Sequence, residues 1–123
     1  MSTLTKVLER NVAEIEKNAD MKEGRFRLGH HLMPPVGWLN DPNGLCWYKG
    51  KYHVFFQYAP FDVEGGLKFW GHYTSVDLVD WKYEGTALYP DSPYDCHGVY
   101  SGSALVEDEK MHLFFTGNVK IDG

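Results

Sequence analysis

"GWLNDPNGLCWYKGKYHVFFQY", residues 37–58, decides how the rest of the chain is read. Its opening, Asn40-Asp41-Pro42-Asn43-Gly44, is made of turn formers. Its remainder is rich in aromatic and β-branched residues, as strands are. "GLCWY" and "KYHVFFQYA" read as two antiparallel strands joined by a tight turn at Lys49-Gly50. Pro42 disfavours a helical backbone at Asp41 and predicts an extended one. Asn43-Gly44 is expected to supply the turn that follows. Asp41 then stands at the entrance of a strand, on a rigid element that a ligand can approach. Taken alone, NDPNG reads first as an ordinary Asx turn, so the surroundings must decide.

Downstream, "FWGHYTSV" reads as a third strand. "WKYEGTAL" reads as a fourth, after a polar turn at Asp77 to Asp80. "YPDSPYDCHG" is a long loop. A second round then begins. "GSALVEDEKMHLFFTG" repeats the layout of "GLCWYKGKYHVFFQY", with His112-Leu113-Phe114-Phe115 standing to His53-Val54-Phe55-Phe56 at an offset of about 58 to 59 residues. Four antiparallel strands and a restart suggest a β-propeller; coincidence between two similar hairpins is the competing reading. Propellers close with roughly four to eight blades, and this sequence holds one blade and half of the next. The expected arrangement is the front of a larger domain, with open sheet edges. Upstream, Leu4, Val7, Leu8, Val12 and Ile15 recur at three- and four-residue spacing and predict a helix over residues 3–21, capped by Ser2 or Thr3. Its apolar stripe is expected to dock on the domain that follows. Residues 22–37 form a connector in which Pro34-Pro35 forbids a continuing helix.

The bulk numbers exclude several functions. Of 123 residues, 43% are hydrophobic and 24% charged, which is the composition of a folded domain. A net charge of −5 with no Lys/Arg cluster argues against nucleic acid and anionic membranes as partners. Cys46 and Cys96 form no CxxC pair, so no zinc site is expected. The N-terminal residues lack the apolar core of a secretory signal, and no run of about 18 apolar residues occurs. The reading is a cytoplasmic protein with reduced thiols. The six histidines show no ligand spacing, adjacent Cys96-His97 says little about geometry, and Glu107-Asp108-Glu109 reads as a solvated hairpin turn.

Three segments in order carry a resemblance. "HLMPPVGWLNDPNGLCWYKGKYHVFFQYAP", "WGHYTSVDLVDWKYEGTALYP" and "GVYSGSAL" resemble the opening of glycoside hydrolase family 32, from about His31 to about Gly117. That family comprises invertases, inulinases, levanases and sucrose-6-phosphate hydrolases, and its catalytic domain is a five-bladed propeller. The resemblance implies an all-β fold: about one and a half blades of a five-bladed β-propeller in residues 25–123, preceded by an N-terminal α-helix and connector in residues 1–24. It implies a retaining mechanism through a covalent intermediate, which needs a carboxylate nucleophile and a carboxylic acid about 5 to 5.5 Å apart.

By motif match, Asp41 is the expected nucleophile toward the anomeric carbon of a fructosyl unit. Asn40, with Trp38 and Leu39 beside it, is expected to contact the sugar or orient the carboxylate. Gln57 of "FQY" carries an amide suited to adjacent hydroxyls. Trp70 of "FWGH" is expected to wall the sugar pocket. Tyr100-Ser101 takes the place of the family's Phe-Ser pair. No metal and no cofactor is implied. The implied ligand is a fructosyl sugar: sucrose, sucrose 6-phosphate or a fructan. Two family motifs do not occur in the sequence: "RDP", with the Asp that stabilises the transition state, and "EC", with the general-acid Glu. The 123 residues alone are therefore expected to be inactive. The alternative is a non-catalytic β-module that keeps weak sugar binding, or that associates through its open edges with further copies or a C-terminal portion.

Overall fold

The computed structural model describes residues 1–19 and 26–121. A helix, α1 (Thr3–Asn18), precedes four strands: β1 (Trp38–Tyr48), β2 (Lys51–Ala59), β3 (Phe69–Ser75) and β4 (Lys82–Leu88). These form one antiparallel sheet in the order β1-β2-β3-β4. β5 (Val99–Glu107) and β6 (Lys110–Gly117) form a separate antiparallel hairpin. The fold is mostly β with one N-terminal helix, as read from the sequence, and it fits part of a propeller.

α1 starts where Ser2 accepts a hydrogen bond from the Thr5 N–H at 3.0 Å, so Ser2 is the cap. It stops at Asn18, because Ala19 is already extended. The expected boundary at residues 24 and 25 lies outside the described residues. Only part of the apolar stripe is used. Val12 is buried and Leu8 packs beside it, whereas Leu4 and Val7 stay exposed.

The period of two along β2 assigns its faces. Phe56 and Tyr58 join Val12, Phe69 and Tyr73 in a core beneath the helix. Phe55, on the other face, joins Trp70 and Val99 in a second core that Met111 and Leu113 of β6 help to close. The first sheet is thus covered by α1 on one face and by the β5–β6 hairpin on the other. Burying Val12 contributes about 2 kcal/mol to the helix contact. A polar clamp adds to it: Glu16 accepts hydrogen bonds from the hydroxyls of Tyr58 and Tyr83, at 2.9 and 2.7 Å. Both phenol pKa values are pushed upward, chiefly by burial and then by the Glu16 carboxylate, so both groups stay as donors.

The two hairpins share one register. Tyr48 faces Lys51 and Glu107 faces Lys110; Cys46 faces His53 and Leu105 faces His112. Their tips are joined by the Tyr48 hydroxyl, which donates to the Glu109 carbonyl at 2.8 Å. Both hairpins slip near the start of their first strand, between Asn40 and Pro42 in β1 and between Tyr100 and Gly102 in β5, and β1 alone slips again between Asn43 and Cys46. The irregular start of β1 carries the site.

Candidate active site

Asn40 pairs with Gln57 and Pro42 with Phe56, so Asp41 is an extra residue bulged out of the ladder. Its φ is 38°, in the left-handed region. The extended conformation expected from Pro42 is therefore not the one adopted. Pro42 excludes the right-handed helix, and the bulge takes the left-handed alternative that Asp tolerates better than most residues. Asn43-Gly44 does not turn the chain either. It lies inside β1 as part of a second irregularity. Gly44 has φ 57°, and a Cβ there would press on the Phe55 ring at 2.8 Å. The bulge is held from behind: the Asn43 amide donates to the Asp41 carbonyl at 2.9 Å. Asn43 is buried, and its own side-chain oxygen has no partner.

The Asp41 carboxylate opens into a cavity of about 410 Å³, which Asn40, Gln57, Lys68, Tyr100, Ser101 and Thr116 also line. Ser101 Oγ donates to Asp41 Oδ2 at 3.3 Å. Trp38 Nε1 donates to Asn40 Oδ1 at 2.8 Å, which leaves the Asn40 amide group pointing its donors elsewhere. Gln57 forms the buried floor, and its Nε2 donates to the Val99 carbonyl at 2.9 Å. Part of its hydrogen-bonding capacity therefore ties β2 to β5, and only the remainder can face a ligand.

The sequence expectation thus gathers five residues around one cavity: Asn40, Asp41, Gln57, Tyr100 and Ser101. Trp38 stands beside them. Leu39 and Trp70 do not line it. Leu39 alternates to the opposite face and packs in the core under α1. Trp70 is 0% exposed in the second core, and its Nε1 donates to the Tyr100 carbonyl at 3.1 Å. It positions Tyr100 and Ser101 from behind and is not a wall of the cavity. A larger cavity of about 640 Å³ lies between the start of α1 and the loop after β4. Its surface is largely apolar, and its polar groups are engaged with one another, Thr5 with Asp91 at 2.6 Å and the Ser92 N–H with Asp95 at 2.8 Å, so chemistry and not volume selects the Asp41 site.

The comparisons with known proteins converge on the same motif region. The family model for the glycosyl hydrolases family 32 N-terminal domain matches residues 31–123. The chain belongs to glycosyl hydrolase family 32. It is 52% identical over 108 residues to the sucrose-6-phosphate hydrolase of Bacillus subtilis (strain 168), covering 87% of this chain and 22% of that relative. Among solved structures it is similar to the Bombyx mori GH32 beta-fructofuranosidase BmSUC1, with a TM-score of 0.84 and 39% identity, covering 96% of this chain and 25% of that one. It is also similar to the sucrose-6-phosphate hydrolase from Lactobacillus gasseri, with a TM-score of 0.78 and 41% identity, covering 89% and 22%. The chain spans about a fifth of the length of the curated relatives it matches.

Three residues of this family 32 site escaped the sequence reading. Asn43 passed as a turn residue, although an Asn two positions after a bulged Asp can close on its carbonyl. Thr116 sits far along the chain and reaches the site because β6 pairs with β5; its hydroxyl donates to the Ser101 carbonyl at 3.2 Å. Lys68 precedes β3 with no local pattern to mark it. Its pKa is lowered by burial, against the opposing charges of Asp62 and then Asp41. The histidines supply no metal cluster among the described residues. Two of them pair instead: His53 Nδ1 lies 2.9 Å from His72 Nε2 across neighbouring strands. Cys96 Sγ lies 3.5 Å from His97 Nδ1, but that nitrogen already accepts from the Lys120 N–H at 3.1 Å. It is therefore occupied as an acceptor and poorly placed to take a thiol proton.

Proposed function

We propose that this chain supplies the nucleophile side of a retaining β-fructofuranosidase acting on sucrose or sucrose 6-phosphate. The observation that carries the reading is the Asp41 carboxylate, held on a bulge in a polar cavity with Ser101 as its hydrogen-bond donor. In the proposed reaction an Asp41 oxygen attacks the anomeric C2 of the fructosyl unit. The C2–O bond to the leaving sugar breaks, its electron pair goes to that oxygen, and a carboxylic acid protonates it. Water then cleaves the fructosyl–Asp41 ester with the configuration retained. Asn40, Gln57, Tyr100 and Ser101 hold the fructosyl hydroxyls, and Trp38 flanks them. Among the described residues Asp41 is the only carboxylate lining the cavity. The acid and the transition-state Asp belong to motifs that these 123 residues lack. Residues 25–123 are proposed to be the first blade and part of the second of a five-bladed propeller.

The test is the intact mass of the native protein from its source, measured beside fructose release from sucrose and sucrose 6-phosphate. Asp41→Ala is expected to abolish release by more than about 10³-fold, as loss of a covalent nucleophile does. Fructose release that survives this substitution sinks the reading. A chain of only the 123 residues is expected to release none, since a missing general acid alone costs about 10² to 10⁴ in rate. A second reading, a non-catalytic module that associates through its sheet, is favoured by the exposure of Leu105, Phe114 and Phe115 on the β5–β6 hairpin. A native mass near 14.1 kDa without activity selects it.

A further inference from the structure

Lys68 is the one basic residue among those lining the Asp41 cavity. Its backbone is fixed, because its carbonyl accepts from the Val99 N–H at 2.9 Å, which joins the entry of β3 to that of β5. The side chain is half-buried and runs past Trp38, whose ring centre lies 5.8 Å from Nζ. Among the described residues the only ion pair is Lys82–Glu84, so no carboxylate lies within 4.0 Å of the Lys68 ammonium. No hydrogen bond engages it either. A partly desolvated cation that feels Asp62 and Asp41 only from beyond 4.0 Å keeps N–H donors for an anionic occupant.

The position within the cavity says which part of a ligand that is. Gln57 is the buried floor, and the half-buried Asn40 lies beside the exposed Asp41, where the fructosyl unit is attacked on that reading. Lys68 Nζ lies at the rim against the β2–β3 connection, 3.2 Å from where a Cβ on Gly65 would sit. On the fructosidase reading the leaving sugar lies on the open side of the Gln57 floor, toward that rim. Neutral sucrose offers only hydroxyls there, whereas a phosphate monoester on the glucosyl 6-oxygen offers a near-dianion with three strong acceptors.

We propose that Lys68 is the specificity-determining residue for an anionic leaving sugar, binding the phosphate of sucrose 6-phosphate and so selecting it over sucrose. This rests on the fructosidase reading of the same site and deepens it. Lys68 also offsets the repulsion between that phosphate and the Asp41 carboxylate.

The experiment uses the native protein at its own length. The ratio of kcat/KM for sucrose 6-phosphate to kcat/KM for sucrose is measured for wild type, Lys68→Met and Lys68→Arg. Lys68→Met is expected to lower the ratio about 10- to 100-fold, the range for one lost hydrogen bond to a charged group. Lys68→Arg is expected to restore most of it, and the wild-type ratio is expected to fall with salt. An unchanged ratio, including an equal fall on both substrates, overturns the proposal, since Lys68 then acts only through Asp41 or the fold. The second arm does not depend on catalysis. Glucose 6-phosphate, glucose and inorganic phosphate are titrated into the 123-residue chain and followed by NMR. Glucose 6-phosphate is expected to bind at least about 10-fold tighter than either of the others, with the preference lost in Lys68→Met. Equal binding of inorganic phosphate, or no preference over glucose, overturns the assignment. If the native protein cleaves neither sugar the fructosidase reading falls, and the titration alone then decides whether Lys68 takes a sugar phosphate.

Discussion

Asp41 occupies a backbone conformation that its residue type holds at a cost. Its φ of 38° puts an L side chain in the left-handed region, where only glycine is at ease. The bulge over-determines it through the Asn43 amide and the pairings on either side. Strain of this kind persists where a side chain must be aimed. Asp41→Gly is therefore expected to be more stable than Asp41→Ala by about 1 kcal/mol, although both lose the carboxylate. Urea midpoints of the two variants check this, and equal midpoints would show that the site is unstrained. A second residue-scale consequence concerns His72. Its ring stacks on Phe55 at 4.3 Å, and His53 Nδ1 is 2.9 Å away. His53 Nε2 reaches the Tyr48 carbonyl at 3.1 Å, so that nitrogen carries the proton, Nδ1 accepts, and His72 donates as a neutral ring. Burial first, and His53 second, push the His72 pKa down to about 4, with Glu84 opposing. The unfolded chain then binds the extra proton between about pH 6.5 and about pH 4, so stability from this group is present near neutrality and lost as pH falls through that window. Comparing wild type with His72→Gln removes the background of titrating carboxylates. The stability advantage of wild type is expected to shrink from pH 7 to pH 4.5; a pH-independent difference counts against a neutral His72.

The two hairpins show at the scale of an element what repetition preserves and what it lets drift. Lys49-Gly50 turns the first hairpin with φ values of 47° and 77°, and Asp108-Glu109 turns the second with 50° and 58°. Both are two-residue turns with positive φ at each position, the geometry that matches the twist of paired strands. The first hairpin has glycine at its second position, and the second has glutamate. Glu109→Gly is expected to stabilise the β5–β6 hairpin by about 0.5–1 kcal/mol, since the Tyr48 bond is made to the backbone carbonyl and survives. Amide hydrogen exchange of β5 and β6 reads this directly, and unchanged or faster exchange refutes it. The same comparison explains what was legible in the sequence. Strands and turns carried by periodicity and turn chemistry were legible: β2, β3, β4, both hairpin tips, and the Ser2 cap. The interior of β1 was not, because a strand running through Asp41-Pro42-Asn43-Gly44 contradicts every local signal, and its bulges depend on pairing with β2. Asn40, Asp41, Gln57, Tyr100 and Ser101 were legible as a group through the motif resemblance. Lys68 and Thr116 join them only through contacts between β5 and the first sheet, which no local pattern encodes. Leu39 and Trp70 were misplaced for the converse reason: adjacency to a motif does not fix which face a side chain takes.

For the whole molecule the two faces of the first sheet are satisfied unequally. α1 covers one with Val12 and the Glu16 clamp. The hairpin covers the other with Val99, Met111 and Leu113, with Phe115 edge-on to Trp70, and presents Leu105 and Phe114 outward at 48% and 57% exposure. β6 pairs on one side only, with β5, so its other edge offers free N–H and C=O groups next to those apolar side chains. An open edge and an apolar face together are what a further strand pairs with, whether it comes from a continuing propeller or from a second copy. A chain of these 123 residues is therefore expected to self-associate as its concentration rises. Phe114→Lys should shift it toward monomer, because Phe114 touches neither the nucleophile bulge nor the core under α1, and an edge lysine must be desolvated when strands pair. Sedimentation velocity over a hundredfold concentration range reads the outcome. A wild-type boundary that stays at 14.1 kDa throughout would mean that the hairpin edge is shielded by its own twist. Association that Phe114→Lys relieves would instead mean that the edge is a working docking element, and that the cavity around Asp41 is completed by whatever pairs beside β6.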